Sequence, residues 1–193
     1  MALQVLGISG SLRSPSATMT AVQIALAGAK DAGAETVFVD LAELGLPFCD
    51  GRDDSDTYPE VVQTFRKLVR DSAGVIIGTP EYHNSMTGAL KNAIDLCEWE
   101  DFAHKMVGVI GVAGGAMGAV NSINHLRTVM RGVGAWVVPH QVSIPHANRA
   151  ITDGSTVLDP QLEVRLLKLG RDVTKFARLI AAGIIEIDET EEV

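Results

Sequence analysis

Cysteine is scarce in this sequence: two residues in 193, Cys49 and Cys97, far apart along the chain. No disulfide framework and no metal-ligand spacing follows from them. Reduced thiols in a cytoplasmic protein are the simple reading. The start of the chain has no basic segment, no short apolar core and no cleavage site, so no signal peptide is expected. No apolar run approaches the roughly eighteen residues of a membrane span, and no membrane association is expected. Positive charge is also short. Sixteen Lys and Arg face 24 Asp and Glu, a net charge of -8. That balance argues against a nucleic-acid partner or an anionic membrane surface. Internal repeats and low-complexity linkers are missing as well.

What is present is a core. Hydrophobic residues make up 47% of the chain and charged residues 21%, and a chain of this length buries roughly 70% of its unfolded surface. Residues 1–185 read as one domain. Residues 186–193, with Glu186, Asp188, Glu189, Glu191 and Glu192, read as a solvated, disordered acidic tail.

Strand-like and helix-like segments alternate. Gln4–Ser9, Thr36–Asp40, Gly74–Thr79, Met106–Val112 and Ala135–Val138 are short and mostly rich in Val and Ile, as parallel strands covered on both faces are. Ser16–Ala32, Pro59–Asp71, Thr87–Cys97, Val120–Gly132 and Pro160–Ala182 read as helices. In the last, Leu162, Leu166, Leu169, Val173, Phe176 and Ile180 recur along one helical face. Asp159 is its expected N-cap and Pro160 its first helical residue. Gly33 and Gly183 stand where helix stops belong. Ser143–Val157 reads as one long surface loop. Five such units imply an α/β fold, a parallel sheet with helices on both faces. Strand order 2-1-3-4-5 is a common solution, with ligands bound beyond the carboxyl ends of strands 1, 3 and 4.

The loop after the first strand, from Gly7 to Thr18, is small and hydroxyl-rich and feeds a helix N-terminus. Free N–H groups and the helix dipole attract an anion there. Ser9, Ser11, Ser16 and Thr18 can each donate a hydroxyl, and Arg13 adds a fork that matches phosphate oxygens. A Walker loop fails for want of lysine and a Rossmann fingerprint for want of glycines. A nucleophile elbow fails because Gly7-Ile8-Ser9-Gly10-Ser11 ends in serine.

After the third strand comes Pro80-Glu81-Tyr82-His83-Asn84-Ser85, followed by Met86-Thr87-Gly88-Ala89-Leu90-Lys91-Asn92-Ala93-Ile94-Asp95. Tyr82 can flank a planar ligand, and backbone N–H groups of His83 to Ser85 can reach ring heteroatoms. This segment, together with the Gly10-to-Ser16 loop, resembles the NADPH-dependent FMN reductase family, which includes quinone, azo and chromate reductases. The resemblance spans roughly residues 3 to 140. It implies a flavodoxin-like three-layer sandwich with a five-stranded sheet. It also implies FMN phosphate contacts at Ser9 or Ser11, Arg13, Ser16 and Thr18, and an isoalloxazine site lined by Pro80, Glu81, Tyr82, His83, Asn84 and Ser85. Two positions depart from the family's usual asparagine, Thr18 and His83. At His83 a backbone contact is the preferred reading.

The loop after the fourth strand carries Gly114, Gly115, Met117 and Gly118. Its glycines let backbone approach a flat ligand, and in the resembling family it faces the pyrimidine side of the flavin. The resemblance therefore implies hydride transfer from NADPH or NADH, through FMN N5, to an oxidised small-molecule acceptor: a quinone, azo dye, nitro compound, metal oxyanion or free flavin. No catalytic side chain is required, because the flavin does the chemistry. No metal site is expected, since His104, His125, His140 and His146 have no partners at ligand spacing. Homodimers or homotetramers are implied, with Met86–Cys97 and Val120–Met130 as candidate faces. Two rival readings stay open: a flavodoxin-like electron carrier, and a flavin-binding regulatory module without nicotinamide turnover.

Overall fold

The computed structural model describes residues 3–52, 54–152 and 155–185. The expected acidic tail at 186–193 lies outside them. In chain order the elements are β1 (Gln4–Ser9), α1 (Ala17–Asp31), β2 (Glu35–Asp40), α2 (Leu41–Leu44), a 3-10 turn (Ser55–Thr57), α3 (Glu60–Arg70), β3 (Gly74–Pro80), α4 (Gly88–Asp95), α5 (Trp99–Phe102), β4 (Met106–Val112), α6 (Val120–Gly132), β5 (Trp136–Val137), β6 (Val142–Ile144), α7 (Ala147–Ala150), β7 (Ile151–Thr152), β8 (Thr156–Val157) and α8 (Pro160–Ala181).

The main sheet is parallel, in the order β2-β1-β3-β4-β5. Its inner strands β3 and β4 are buried along their whole length, as near-continuous apolar runs require. One face is covered by α1 and α8, through Val22, Ala25 and Leu26 against Leu166, Leu169 and Val173. The other is covered by α3, α4 and α6, through Phe65, Val69, Leu90, Ile94, Ile123 and Leu126. This is the three-layer sandwich of flavodoxin-like folds.

The fifth sheet position differs from the expected single strand. β5 pairs with Met106–Val107 and β6 with Ile110–Val112, so two short strands share it. Pro139 lies in the gap and has no N–H to give to the ladder. Arg127 Nη1 reaches across the break to Val138 O (3.1 Å) and Gln141 Oε1 (3.3 Å).

The segment 143–157 is not a loop. It holds the end of β6, the α7 turn and the antiparallel β7–β8 pair, with Ile144, Ala147 and Ile151 buried. Its apolar residues are too few and too irregularly spaced to show either period.

α8 begins as its sequence indicates: the Asp159 side chain accepts from Gln161 N–H at 2.9 Å. Gly33 and Gly183 follow α1 and α8 at φ 84° and 65°, closing each helix in the left-handed conformation. Among the described residues no helix is long and apolar enough to cross a membrane.

Candidate functional site

The carboxyl ends of β1, β3 and β4 are stitched into one rim. Gly10 N–H donates to Gly78 O (2.8 Å), Glu81 N–H to Val112 O (2.8 Å) and Ala113 N–H to Ile144 O (2.9 Å). Thr87 caps α4, accepting from Leu90 N–H (3.2 Å) while its hydroxyl donates to Gly10 O (2.7 Å). The loops after β1 and β3 are thereby fastened to each other.

Two adjoining hollows open on this rim. The first, of about 420 Å³, has Arg13, Ser16 and Thr18 on one wall and Pro80, Glu81 and Tyr82 on another. Val112, Ala113 and Gly114 form its floor side, and Ala147, Asn148 and Ile151 close it. Ser16 is the N-cap of α1 and accepts from Met19 N–H at 3.2 Å. The N–H groups of Ala17 and Thr18, at the first turn of this helix, have no partner among the described residues. Arg13 is exposed, pairs with no described carboxylate and is the one arginine or lysine among the described residues lining either hollow. Ser9 and Ser11 are buried and lie outside the walls. Ser11 Oγ accepts from Arg13 N–H at 3.3 Å, whereas the fully buried Ser9 Oγ has no hydrogen-bond partner among the described residues.

The second hollow, of about 380 Å³, lies between Glu81, His83 and Asn84 on one side and Gly114, Gly115, Met117 and Gly118 on the other. Tyr82 and Ser85 exchange backbone hydrogen bonds of 3.0 and 3.1 Å, with His83 and Asn84 at φ 50° and 63° between them. Two successive left-handed residues make this a primed turn, for which asparagine is well suited and histidine less so. The turn corrects one expectation. Ser85 N–H is taken by Tyr82 O, so it is not free for a ring heteroatom; the N–H groups of His83 and Asn84 have no described partner. Ser85 is also absent from both walls, and its hydroxyl lies 3.1 Å from His125 Nδ1. His125, expected to have no partner at metal-ligand spacing, is thus part of the support.

Across the hollow, the N–H groups of Gly114 to Met117 have no described partner. A methyl group added at Gly114 or Gly115 would meet nothing within 4 Å. Neither residue has a positive φ, so nothing inside the protein requires glycine there. Gly118 is different: its φ is 70°, and a side chain would strike Ser143 Oγ.

Glu81 joins the two loops. Ala119, the N-cap of α6, has no capping side chain. The Glu81 carboxylate takes that place from the loop after β3, Oε2 accepting from Ser122 N–H (2.9 Å) and Ser122 Oγ (3.1 Å). Asn121 Nδ2 lies 3.4 Å from Asn84 Oδ1, a second tie.

Several expected bystanders lie away from the rim. Burial pushes the Cys97 thiol well above its ordinary range, the opposite of an activated cysteine. Trp99 is half-exposed and packs edge-on against His104. No cluster of three His, Cys, Asp or Glu able to hold a metal occurs among the described residues. Asn148, Ala147, Ile151 and Asn121 were not foreseen from sequence. The first three fall in the segment read as loop, and Asn121 carries no signal of its own.

The donor set fits a ligand with an anionic end and a flat, heteroatom-bearing end. A guanidinium and unpaired helix N–H groups meet the first, and two facing rows of free N–H groups flanking bare glycines meet the second. FMN has that shape and chemistry.

Comparison with known proteins agrees. The family model for NADPH-dependent FMN reductase matches residues 3–149. An NADPH azoreductase from Bacillus sp. (strain OY1-2) is 38% identical over 136 residues, 70% of this chain and 71% of the relative. An NAD(P)H-dependent FAD/FMN reductase from Geobacillus thermodenitrificans is 31% identical over 183 residues, 94% and 97% of the two chains. Among solved structures, the flavoenzyme NAD(P)H:(acceptor) oxidoreductase FerB from Paracoccus denitrificans superposes with a TM-score of 0.74 at 26% identity, covering 92% of this chain and 98% of that one. The chain belongs to the NADPH-dependent FMN reductase family and is an FMN-binding oxidoreductase.

Proposed function

We propose that this protein reduces an oxidised small-molecule acceptor with electrons drawn from NADPH or NADH through bound FMN. The observation that carries the reading is the pair of facing backbone rows. Free N–H groups at His83–Asn84 and at Gly114–Met117 border a slot in which glycine is needed by nothing else in the protein.

In this reading Arg13 and the first turn of α1 hold the phosphate, with the hydroxyls of Ser16, Thr18 and Ser9 or Ser11 as further donors. Pro80, Glu81, Tyr82, His83 and Asn84 border the ring on one side, with Ser85 behind the turn. Gly114, Gly115, Met117 and Gly118 border it on the other. When bound, FMN supplies a hydride acceptor and donor at its N5. The protein's own work is to fix the ring, to keep donors aimed where negative charge builds, and to leave a face open to nicotinamide and acceptor in turn. Tyr82 and Met117, half and almost wholly exposed, rim that opening. The acceptor class includes quinones, azo and nitro compounds, metal oxyanions and free flavin. Residues 1–185 form the working unit, as a homodimer or homotetramer through the faces of α4 and α6; light scattering of the purified protein reads that state.

Anaerobic mixing of the FMN-loaded protein with NADPH is the test. Rapid bleaching of the flavin absorbance, recovered on adding a quinone, is expected. A flavin that stays oxidised would make the protein an electron carrier instead.

A second consequence concerns Gly115. Gly115→Val is expected to lower FMN affinity at least about tenfold, roughly 1.4 kcal/mol, because its side chain fills the slot. The melting temperature of the flavin-free protein is expected to move by less than about 2 °C, since a Cβ at this position meets no protein atom within 4 Å and the backbone there has no positive φ.

A further inference from the structure

We propose that Glu81 sets the reduction potential of the bound flavin, holding it low by placing a negative charge on the helix start that would otherwise stabilise the reduced ring. The proposal rests on the FMN reading of the site.

A helix N-terminus carries the equivalent of roughly half a positive charge. α6 starts directly behind the Gly114–Gly118 loop, and on its own it would favour an anion in the second hollow. Glu81 cancels that field. Its Oε2 accepts from the N–H and the hydroxyl of Ser122 at 2.9 and 3.1 Å, within the first turn of α6. Glu81 lines both hollows and is the one acidic residue among their described lining residues. A full negative charge at a half-charge terminus leaves a net negative potential beside the slot.

Adding two electrons and one proton to a bound flavin makes its ring one unit more negative. That gain is opposed by a carboxylate and would be helped by a neutral cap. A serine, threonine or asparagine at Ala119 would cap α6 without charge. Instead position 119 is alanine, and the cap is an acid delivered from the loop after β3. The consequence is a flavin that gives up electrons readily once reduced, as a protein that passes them to an acceptor needs. Glu81 is therefore a positioning residue with an electrostatic output. A merely structural cap would be replaceable by glutamine without changing the flavin's potential.

The test measures the potential of bound FMN by reductive titration against an equilibrating reference dye, at a single pH. FMN affinity and the melting curve of the flavin-free protein are read in parallel. Glu81→Gln keeps an acceptor oxygen for Ser122 and removes the charge. It is expected to raise the preference for reduced over oxidised FMN about tenfold, a shift of about +30 mV for a two-electron couple. Asn121→Asp, which adds a carboxylate to the same first turn, is expected to shift the potential by about the same amount in the opposite direction. Ser122→Ala removes one donor but leaves the charge, and is expected to leave the potential in place. Unchanged potentials in both charge variants, with FMN still bound, would overturn the proposal alone. Failure of the unaltered protein to bind FMN would overturn the site reading beneath it.

Discussion

Arg13→Ala is expected to weaken FMN binding about 30- to 150-fold while leaving riboflavin binding unchanged. The loss corresponds to about 2–3 kcal/mol, the usual worth of hydrogen bonds to a charged group. Among the described lining residues Arg13 is the one arginine or lysine on either hollow, and its guanidinium pairs with no described carboxylate. It is already free to receive a phosphate, and its removal leaves no partner stranded. The folded protein should therefore be indifferent to the change. Riboflavin has the same ring but no phosphate, which makes it the control. Arg13→Lys should recover part of the affinity, because a point charge remains but the two-pronged geometry does not. Titration of the apo-protein by flavin fluorescence reads all of these values. Equal losses for FMN and riboflavin would place Arg13 at the ring, not the phosphate.

Gly170→Ala is expected to cost about 4 kcal/mol of stability, enough to lower the melting temperature by roughly 8–16 °C. α1 and α8 cross at this point, backbone against backbone. A methyl at Gly170 would be driven into the Ala25 carbonyl oxygen and would lie 2.7 Å from Ala29 N. Gly28 makes the reciprocal approach to the Leu167 carbonyl. Overpacked side chains can swing away, whereas two helix backbones must separate. The control is Gly132→Ala. That residue also ends up helical, but a methyl there meets nothing, and its loss of unfolded-state freedom should make the change neutral or slightly stabilising. Calorimetry of both variants separates close approach from helix propensity. Since α1 starts at the first hollow, where the phosphate is proposed to sit, Gly170→Ala should also reduce FMN affinity.

Much of the fold is legible because its strands and helices carry strong local signals. β1 and β4 fall on the expected residues, and β2 and β3 differ by one residue at an end. The inner strands are near-continuous apolar runs, and α8 repeats its leucines on one face. The fifth sheet position was only half legible. Ala135–Val138 signals a strand, but Pro139 breaks the ladder, and Val142–Ile144 is too short to announce its return. α2 and α5, of four residues each, carry only brief cap signals, Asp40 and Gly45 around the first and a Glu98–Asp101 capping box at the second, too short to announce a helix without tertiary contacts. Asp101 in α5 shows this: fully buried, it is paired with Arg66 at 2.8 Å from another helix.

The site was legible where residue chemistry is local. Arg13, Ser16 and Thr18 of the first loop, Pro80 to Asn84 and the glycine loop line the two adjoining hollows, whereas Ser9, Ser11 and Ser85 stand outside their walls. What could not be read was which backbone groups fold back on themselves. Ser85 offers an N–H in sequence, and the primed turn consumes it. Glu81 reads as a ring neighbour, and its carboxylate proves to cap a helix whose own N-cap position lacks a side-chain oxygen. Asn148 joins the first hollow only because α7 folds over it. Such contacts depend on distant segments meeting, and no spacing rule contains them.

The most direct measurement is a binding titration of the flavin-free protein with FMN and, separately, with riboflavin. Saturation at one FMN per chain, with a dissociation constant near or below about 1 μM and riboflavin at least about tenfold weaker, is the predicted result. No saturable uptake of FMN, or equal affinity for the two flavins, would contradict the claim that one rim of three loops clasps the phosphate and the ring together.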